Sequence, residues 1–324
     1  MKDKKFLLQP LYFFLIVFLL DKIFLLDYFH KDMVVNGNSV FYKQRLDQVD
    51  TFINFQSNLK KVIVLGDSRS YPISNEALTD EGREVYTVFN FSAPQAIPAY
   101  FLYLWEVIHS KNGKPDFVIV SISPESFQKD PKLFHTPFLR FGSSSEFIQK
   151  YQSKIPTSAL FSLAKDKILV YPTLEWDPKI LFTKLTREGL KGFTKEENFD
   201  IQMLNERQGA YFRFAVADND EEKLVRDTER ITHLYLNHFE LGEEEYFFLE
   251  ELLKALNENQ IPALVVWPKV YKNYYAKYKN LKIPELWWPK IEEIAKRNKA
   301  KTLDLNSHSN CDLFNDASHQ NIFC

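Results

Sequence analysis

Residues 61–70 read Lys-Val-Ile-Val-Leu-Gly-Asp-Ser-Arg-Ser. The first half is apolar, rich in β-branched residues and free of polar alternation, as a strand covered on both faces should be. The second half is a turn that carries a serine. Four further runs resemble the first half: Val85–Phe89 (VYTVF), Asp116–Ile122 (DFVIVSI), Ile261–Trp267 (IPALVVW) and Ala300–Leu305 (AKTLDL). Helical patterns separate them. Pro98 to Ser110 places Phe101, Leu104, Trp105 and Ile108 on one stripe. Glu243 to Asn257 places Leu249, Leu252, Leu253 and Leu256 on one face behind an acidic first turn. Pro289 opens a third helix before Ile291, Ile294 and Ala295. Alternating strands and helices predict an α/β fold, a doubly wound parallel sheet with helices on both faces.

The alternation stops between Lys129 and Asp227. This divides the body into a first half (31–128), a mostly helical insertion after the third strand (129–227) and a second half (228–324). Within the insertion Phe134 to Phe147 reads as loop, while Ile148 to Lys167 and Pro178 to Leu190 read as short helices. Insertions at the carboxyl edge of such a sheet shape the ligand site.

The amino end predicts a membrane anchor. Met-Lys-Asp-Lys-Lys precedes an apolar run from Phe6 to Leu26, interrupted by Gln9, Pro10, Asp21 and Lys22. No small-x-small cleavage site follows, so residues 1–30 are expected to form an uncleaved signal-anchor helix. Lys2, Lys4 and Lys5 favour a cytoplasmic amino terminus. The expected location is the inner membrane, single-pass, with the body on the periplasmic or extracytoplasmic side.

Composition removes several classes. Lys+Arg is 41 against Asp+Glu 43, a balance without the basic excess of a nucleic-acid binder. Two cysteines are too few for a disulfide scaffold or a four-cysteine zinc site. His233 and His238 are off the spacing of a helical metal pair and no HExxH accompanies them, so no metal is expected. The chain has 9 glycines and no GxGxxG or GxxxxGK, which leaves no phosphate-cradling loop and no reason to expect a cofactor.

The chemistry gathers at two turns. Ser68 follows the first strand, where its hydroxyl faces the carboxyl edge of the sheet and its N–H is an orphan donor of a helix start. Serine needs a neighbouring base. Asp316 lies three residues before His319, after the last strand, so both side chains can share one side of a turn. The carboxylate would then fix the imidazole tautomer. The expected triad is Ser68, His319 and Asp316. His135 and His308 are further candidates for a polar site. Trp287, Trp288, Tyr271, Tyr274, Tyr275 and Tyr278 either stack on sugar rings or pack a helix on the sheet.

Leu65-Gly66-Asp67-Ser68 resembles the first block of the SGNH (GDSL-type) hydrolases, and Asp316-x-x-His319 resembles their last block. The resemblance covers about residues 58–128 and 228–324 and implies a flavodoxin-like sheet. With the amino-terminal anchor, the chain is similar to the envelope branch of that superfamily, which includes D-alanyl transfer and alginate O-acetylation proteins. The layout also resembles an uncharacterised domain family known mainly from spirochaetes.

The resemblance implies an oxyanion hole from the N–H groups of Ser68 and Ser92, with Ser123 standing where the family has asparagine. It makes Asp67, Arg69 and Asn90 candidate substrate contacts, with Arg69 suited to an anionic group. It implies a membrane-anchored serine esterase or O-acyltransferase acting on an acylated envelope glycan or lipid, with no cofactor and with a membrane-bound acyltransferase as partner. The alternative is a non-catalytic envelope protein whose degenerate site binds glycan or a membrane partner. In the family a helix follows the histidine, whereas five residues follow His319 here, so that final helix is expected to be lacking. Cys311 and Cys324 flank the Asp316–His319 turn, and an extracytoplasmic disulfide between them is expected to pin it.

Overall fold

A computed structural model describes residues 3–25, 37–129, 135, 138–169, 186, 195–211, 220–321 and 324. Five strands, β1 (Lys60–Leu65), β2 (Tyr86–Asn90), β3 (Phe117–Ser121), β4 (Ala263–Trp267) and β5 (Lys301–Asp304), form one parallel sheet in the order β2-β1-β3-β4-β5. All five expected strands are present, with ends shifted by no more than about two residues, the usual uncertainty of such boundaries. Chain order reverses at β1: β2 pairs on one side and β3 on the other. The crevice at the carboxyl ends of β1 and β3 is therefore the topological switch point, where such sheets bind ligands.

Alternating strand residues feed two unequal cores. Ile63, Leu65, Phe89, Val118, Val120 and Val265 are fully buried in the larger one. The Pro98–Ser110 and Glu244–Glu258 helices belong to the same core, contributing Phe101, Leu104, Leu249, Leu252, Leu253 and Leu256. Pro98 sits in the first turn, where its missing N–H is harmless, and Asn112 takes the left-handed φ of 60° just past the helix end. On the opposite face Val62, Val64 and Val88 pack with Ile73 and Leu78 in a small cluster.

The insertion departs from its reading in two places. The helix expected over Ile148–Lys167 is two helices, Ser145–Tyr151 and Thr157–Ile168, because Pro156 cannot donate within a helix and stands at the cap of the second. The stretch read as loop winds a π-turn at Phe138–Gly142, and Phe138, Leu139 and Phe147 enter the main core. The helix expected over 178–190 lies outside the described residues apart from 186.

Two further helices matter. Gly37–Asn54 is a helix whose inward face carries Tyr42, Val49 and Phe52, but also buried Arg45 and Gln48. That mixed face hides its period from a hydrophobicity reading. Asp3–Asp21 is helical, with Leu11, Phe13 and Phe14 each more than 60% exposed (62%, 63% and 68%). Among the described residues no helix is long and apolar enough to cross a membrane.

One buried carboxyl joins the helix layer. Glu245 Oε2 accepts the Ala99 N–H at 2.9 Å, and Oε1 lies 3.1 Å from His135 Nε2, with the two side chains only 2% and 1% exposed. Burial pushes the Glu245 carboxyl up to about 8; the Ala99 N–H opposes that shift and Glu244 adds to it. The folded state thus holds a proton that the unfolded chain releases near pH 4.3. Stability from this group should be greatest below about pH 4.3 and fall as pH rises towards 8, by about 1.4 kcal/mol per pH unit for one proton. Glu245→Gln keeps an acceptor for Ala99 and cannot ionise. Thermal melts from pH 5 to 8 should show a flatter dependence for the variant and a melting temperature at pH 8 no lower than wild type; parallel curves would contradict the assignment.

Candidate active site

The turn after β1 is built for close approach. A Cβ on Gly66 would lie 2.0 Å from Ser70 Oγ and 2.9 Å from Ser121 Cβ, so a side chain there would push the turn off β3. Asp67 is extended and buried, and it caps the Ser68–Ser70 turn by accepting the Arg69 N–H at Oδ1 (2.9 Å). Its Oδ2 accepts the Ser123 hydroxyl at 2.8 Å. Ser70 Oγ donates to Asp67 O at 3.0 Å. Ser68 is left facing the crevice, and its N–H has no protein acceptor among the described residues.

The second turn is held from both ends. Phe314 bridges Gln320, Asn321 N–H donates to Leu313 O at 2.9 Å, and a Cys311–Cys324 disulfide closes the base. Tyr271 N–H donates to Ala317 O at 3.0 Å, and Ala317 N–H donates to Asp227 Oδ2 at 3.0 Å. Asp316 Oδ1 accepts the N–H groups of Ser318 (2.8 Å) and His319 (3.0 Å). His319 Nδ1 lies 2.8 Å from Asp316 Oδ2, and His319 Nε2 lies 2.7 Å from Ser68 Oγ. With Nδ1–H donating to the carboxylate, Nε2 is the acceptor for the serine proton. Burial by itself would raise the Asp316 pKa. The His319 charge and hydrogen bond, with those of Ser318, outweigh it and hold the carboxyl well below the usual range. Asp316 is therefore ionised whenever the protein is folded at ordinary pH.

Other expected site residues stand nearby with their polar groups committed. Ser92 N–H donates to Asn90 Oδ1 at 2.9 Å, and Ser92 is fully buried. Asn90 Nδ2 donates to Ser70 O (2.7 Å) and Ile73 O (2.9 Å), so Asn90 braces the Ser68–Ser70 turn. The Ser123 hydroxyl is spent on Asp67, while its N–H has no protein acceptor among the described residues. Arg69 lines the cleft beside Ser68, with its guanidinium paired inside the protein. It forms a two-pronged pair with Glu125 (Nη1–Oε2 3.1 Å, Nη2–Oε1 2.7 Å), with the two side chains 7% and 2% exposed. Tyr274 and Tyr278 hydroxyls donate to the same Glu125 Oε1 at 2.6 and 2.5 Å. Burial alone would raise Glu125, but Arg69 and these donors hold it below the ordinary carboxyl range. Removing one partner of such a buried pair costs about 3–5 kcal/mol.

The aromatic candidates divide the same way. Tyr274, Tyr278 and Trp287 are fully buried and Tyr271 and Trp288 nearly so; all of them pack in the main core. Tyr275 is partly buried against that core. His135 pairs with Glu245, away from the crevice, and His308 is exposed beside its own backbone at Asp304 O.

Ser68 and His319 open into a small cleft of about 50 Å³ that Ser123, Glu125, Gln95 and Tyr235 help to line. The last three of these carried no sequence signal. Glu125 is an acid in a Ser-Pro-Glu turn whose arginine partner lies 56 positions away. Tyr235 comes from a π-turn, Thr232–Leu236, and Gln95 depends on a backbone conformation. Among the described residues no cluster of three or more His, Cys, Asp or Glu is placed to hold a metal.

The fold and the Ser–His–Asp contacts define an α/β protein with a histidine-bonded serine at its switch point. The model of a family described as a protein of unknown function (DUF1574) matches residues 1–324, and the chain belongs to that family. No curated protein matches it significantly.

The disulfide should matter to the turn more than to the sheet. It spans 13 positions, and closing a loop of about 15 residues contributes about 3 kcal/mol in chain-entropy terms. Reduction should lower the melting temperature and speed amide exchange at Asn315, His319 and Asn321, with β1 and β3 unaffected. Exchange at those three amides that does not change on reduction would show that the disulfide does not hold the turn.

Proposed function

We propose that the protein is a serine acyl hydrolase or O-acyltransferase of the SGNH kind. The observation that carries this reading is the unbroken relay from Ser68 Oγ through His319 Nε2 (2.7 Å) to Asp316 (2.8 Å from Nδ1). Ser68 Oγ attacks the ester carbonyl carbon, and its proton passes to His319 Nε2. The carbonyl electron pair moves onto oxygen, forming the oxyanion. Collapse re-forms the carbonyl and breaks the bond to the leaving alkoxide, which takes the proton from His319. Water or a second hydroxyl then repeats the sequence on the acyl-enzyme, releasing an acid or a new ester. Asp316, held ionised by its donors, stabilises the imidazolium that forms in each half.

Two observations support an envelope setting. Between Leu8 and Leu20 the Asp3–Asp21 helix exposes a mostly apolar surface, which suits insertion into a membrane. The Cys311–Cys324 disulfide suits an oxidising compartment outside the cytoplasm. On this reading the substrate is an acylated envelope glycan or lipid and the partner is a membrane-bound acyltransferase. A second reading, a non-catalytic protein that binds glycan or a partner, is favoured by the commitment of the Ser92 N–H and the Ser123 hydroxyl to internal bonds.

Hydrolysis of p-nitrophenyl acetate separates the two. His319→Ala should lower kcat by about 10²–10⁴, the usual worth of a general base. Ser68→Ala should abolish turnover. No acid limb from Asp316 should appear in the pH profile above pH 4. Wild-type turnover no faster than that of Ser68→Ala would favour the non-catalytic reading.

A further inference from the structure

Acyl transfer through Ser68 needs donors for the oxyanion, and two of those implied by resemblance are spent. The Ser92 N–H is held by Asn90 Oδ1, and the Ser123 hydroxyl is held by Asp67 Oδ2. Backbone N–H groups of Ser68 and Ser123 remain free of protein acceptors among the described residues.

Gln95 lies three positions past Ser92, in the loop after β2, and lines the same small cleft as Ser68 and His319. Its backbone φ is 53°, in the left-handed region that side chains other than Asn, Asp and Gly seldom adopt. Its side-chain amide makes no hydrogen bond within the described residues. Such a conformation persists only where the surroundings enforce it. Here they do. Fully buried Arg45 donates Nε–H to Ser92 O at 2.7 Å, and fully buried Tyr42 donates its hydroxyl to Pro94 O at 2.9 Å. Ala93 N–H donates to Gly66 O at 3.0 Å, which fastens the loop to the nucleophile turn itself. Two buried polar side chains and one backbone bond thus hold an otherwise disfavoured residue, with an unused amide, at the mouth of the relay.

We propose that the Gln95 side-chain N–H is an oxyanion donor of this site, supplying from the side chain what the committed Ser92 N–H does not. This rests on the serine acyl-transfer reading above. When Ser68 attacks, the carbonyl oxygen gains the electron pair and Gln95 Nε2–H donates to it beside the Ser68 N–H. No proton leaves Gln95, and on collapse the interaction weakens as the charge returns to the leaving oxygen. Arg45 and Tyr42 are positioning residues for the loop.

The test uses the full-length protein in detergent with p-nitrophenyl acetate. Gln95→Gly removes the amide and relieves the left-handed backbone, so its melting temperature should not fall. Its kcat should fall by about 10²–10³ with KM changed little, the signature of a donor that acts only in the transition state. Gln95→Glu keeps the shape but loses the donor and should fall at least as far. Gln95→Asn tolerates the backbone and should recover part of the rate. Turnover that depends on Ser68 but survives Gln95→Gly overturns the role of Gln95 alone. A fall in Gln95→Gly that Gln95→Glu does not share also overturns it, because shape rather than donation would then matter. Wild-type turnover that does not depend on Ser68 removes both this proposal and the reading beneath it.

Discussion

Asp67 Oδ1 accepts the Arg69 N–H and Oδ2 accepts the Ser123 hydroxyl, so one buried carboxylate ties the turn after β1 to the end of β3. Those two strands are neighbours because the sheet order reverses at β1. The tie fixes the direction in which Ser68 leaves the sheet. Gly66 makes it possible by letting the turn lie against Ser121. Glu125, two residues past Ser123, then meets the Arg69 side chain, so backbone and side chain of one arginine are held from the same segment after β3. The Ser68 turn is in this sense a product of β3 as much as of β1.

Two carboxylates of the site are closely partnered. Glu125 has Arg69 and two tyrosine hydroxyls; Asp316 has His319 and Ser318. Buried ions are tolerated when paired and fully hydrogen-bonded, and they then resist rearrangement. The Ser68 Oγ–His319 Nε2 contact at 2.7 Å is held by that rigidity. The same bonds hold Arg69, Asn90 and Asp67 in place around Ser68, with Arg69 and Asp67 lining the cleft.

The strands were legible in the sequence because parallel strands buried on both faces carry unbroken apolar runs. Ser68, Asp316 and His319 were legible because each stands in a short turn next to such a run. Other roles were not. Arg69 reads only as a contact for an anionic group until Glu125 folds onto it from 56 positions away. Ser92 reads as a donor until Asn90, two residues earlier, takes its N–H. The Gly37–Asn54 helix hid behind Arg45 and Gln48, polar residues on an inward face. Gln95 had no signal because a positive φ on a residue other than glycine is a property of the folded loop. What the sequence concealed was a polar contact or a backbone conformation that exists only once the chain has folded.

The central claim is that Ser68 is a nucleophile driven by His319. Its most direct test is the mass of the protein after exposure to a fluorophosphonate, with tandem mass spectrometry to locate the adduct. The account predicts one phosphonyl group per chain, on Ser68, and little or none in His319→Ala over the same time. An unmodified Ser68, or equal labelling of wild type and His319→Ala, would contradict it.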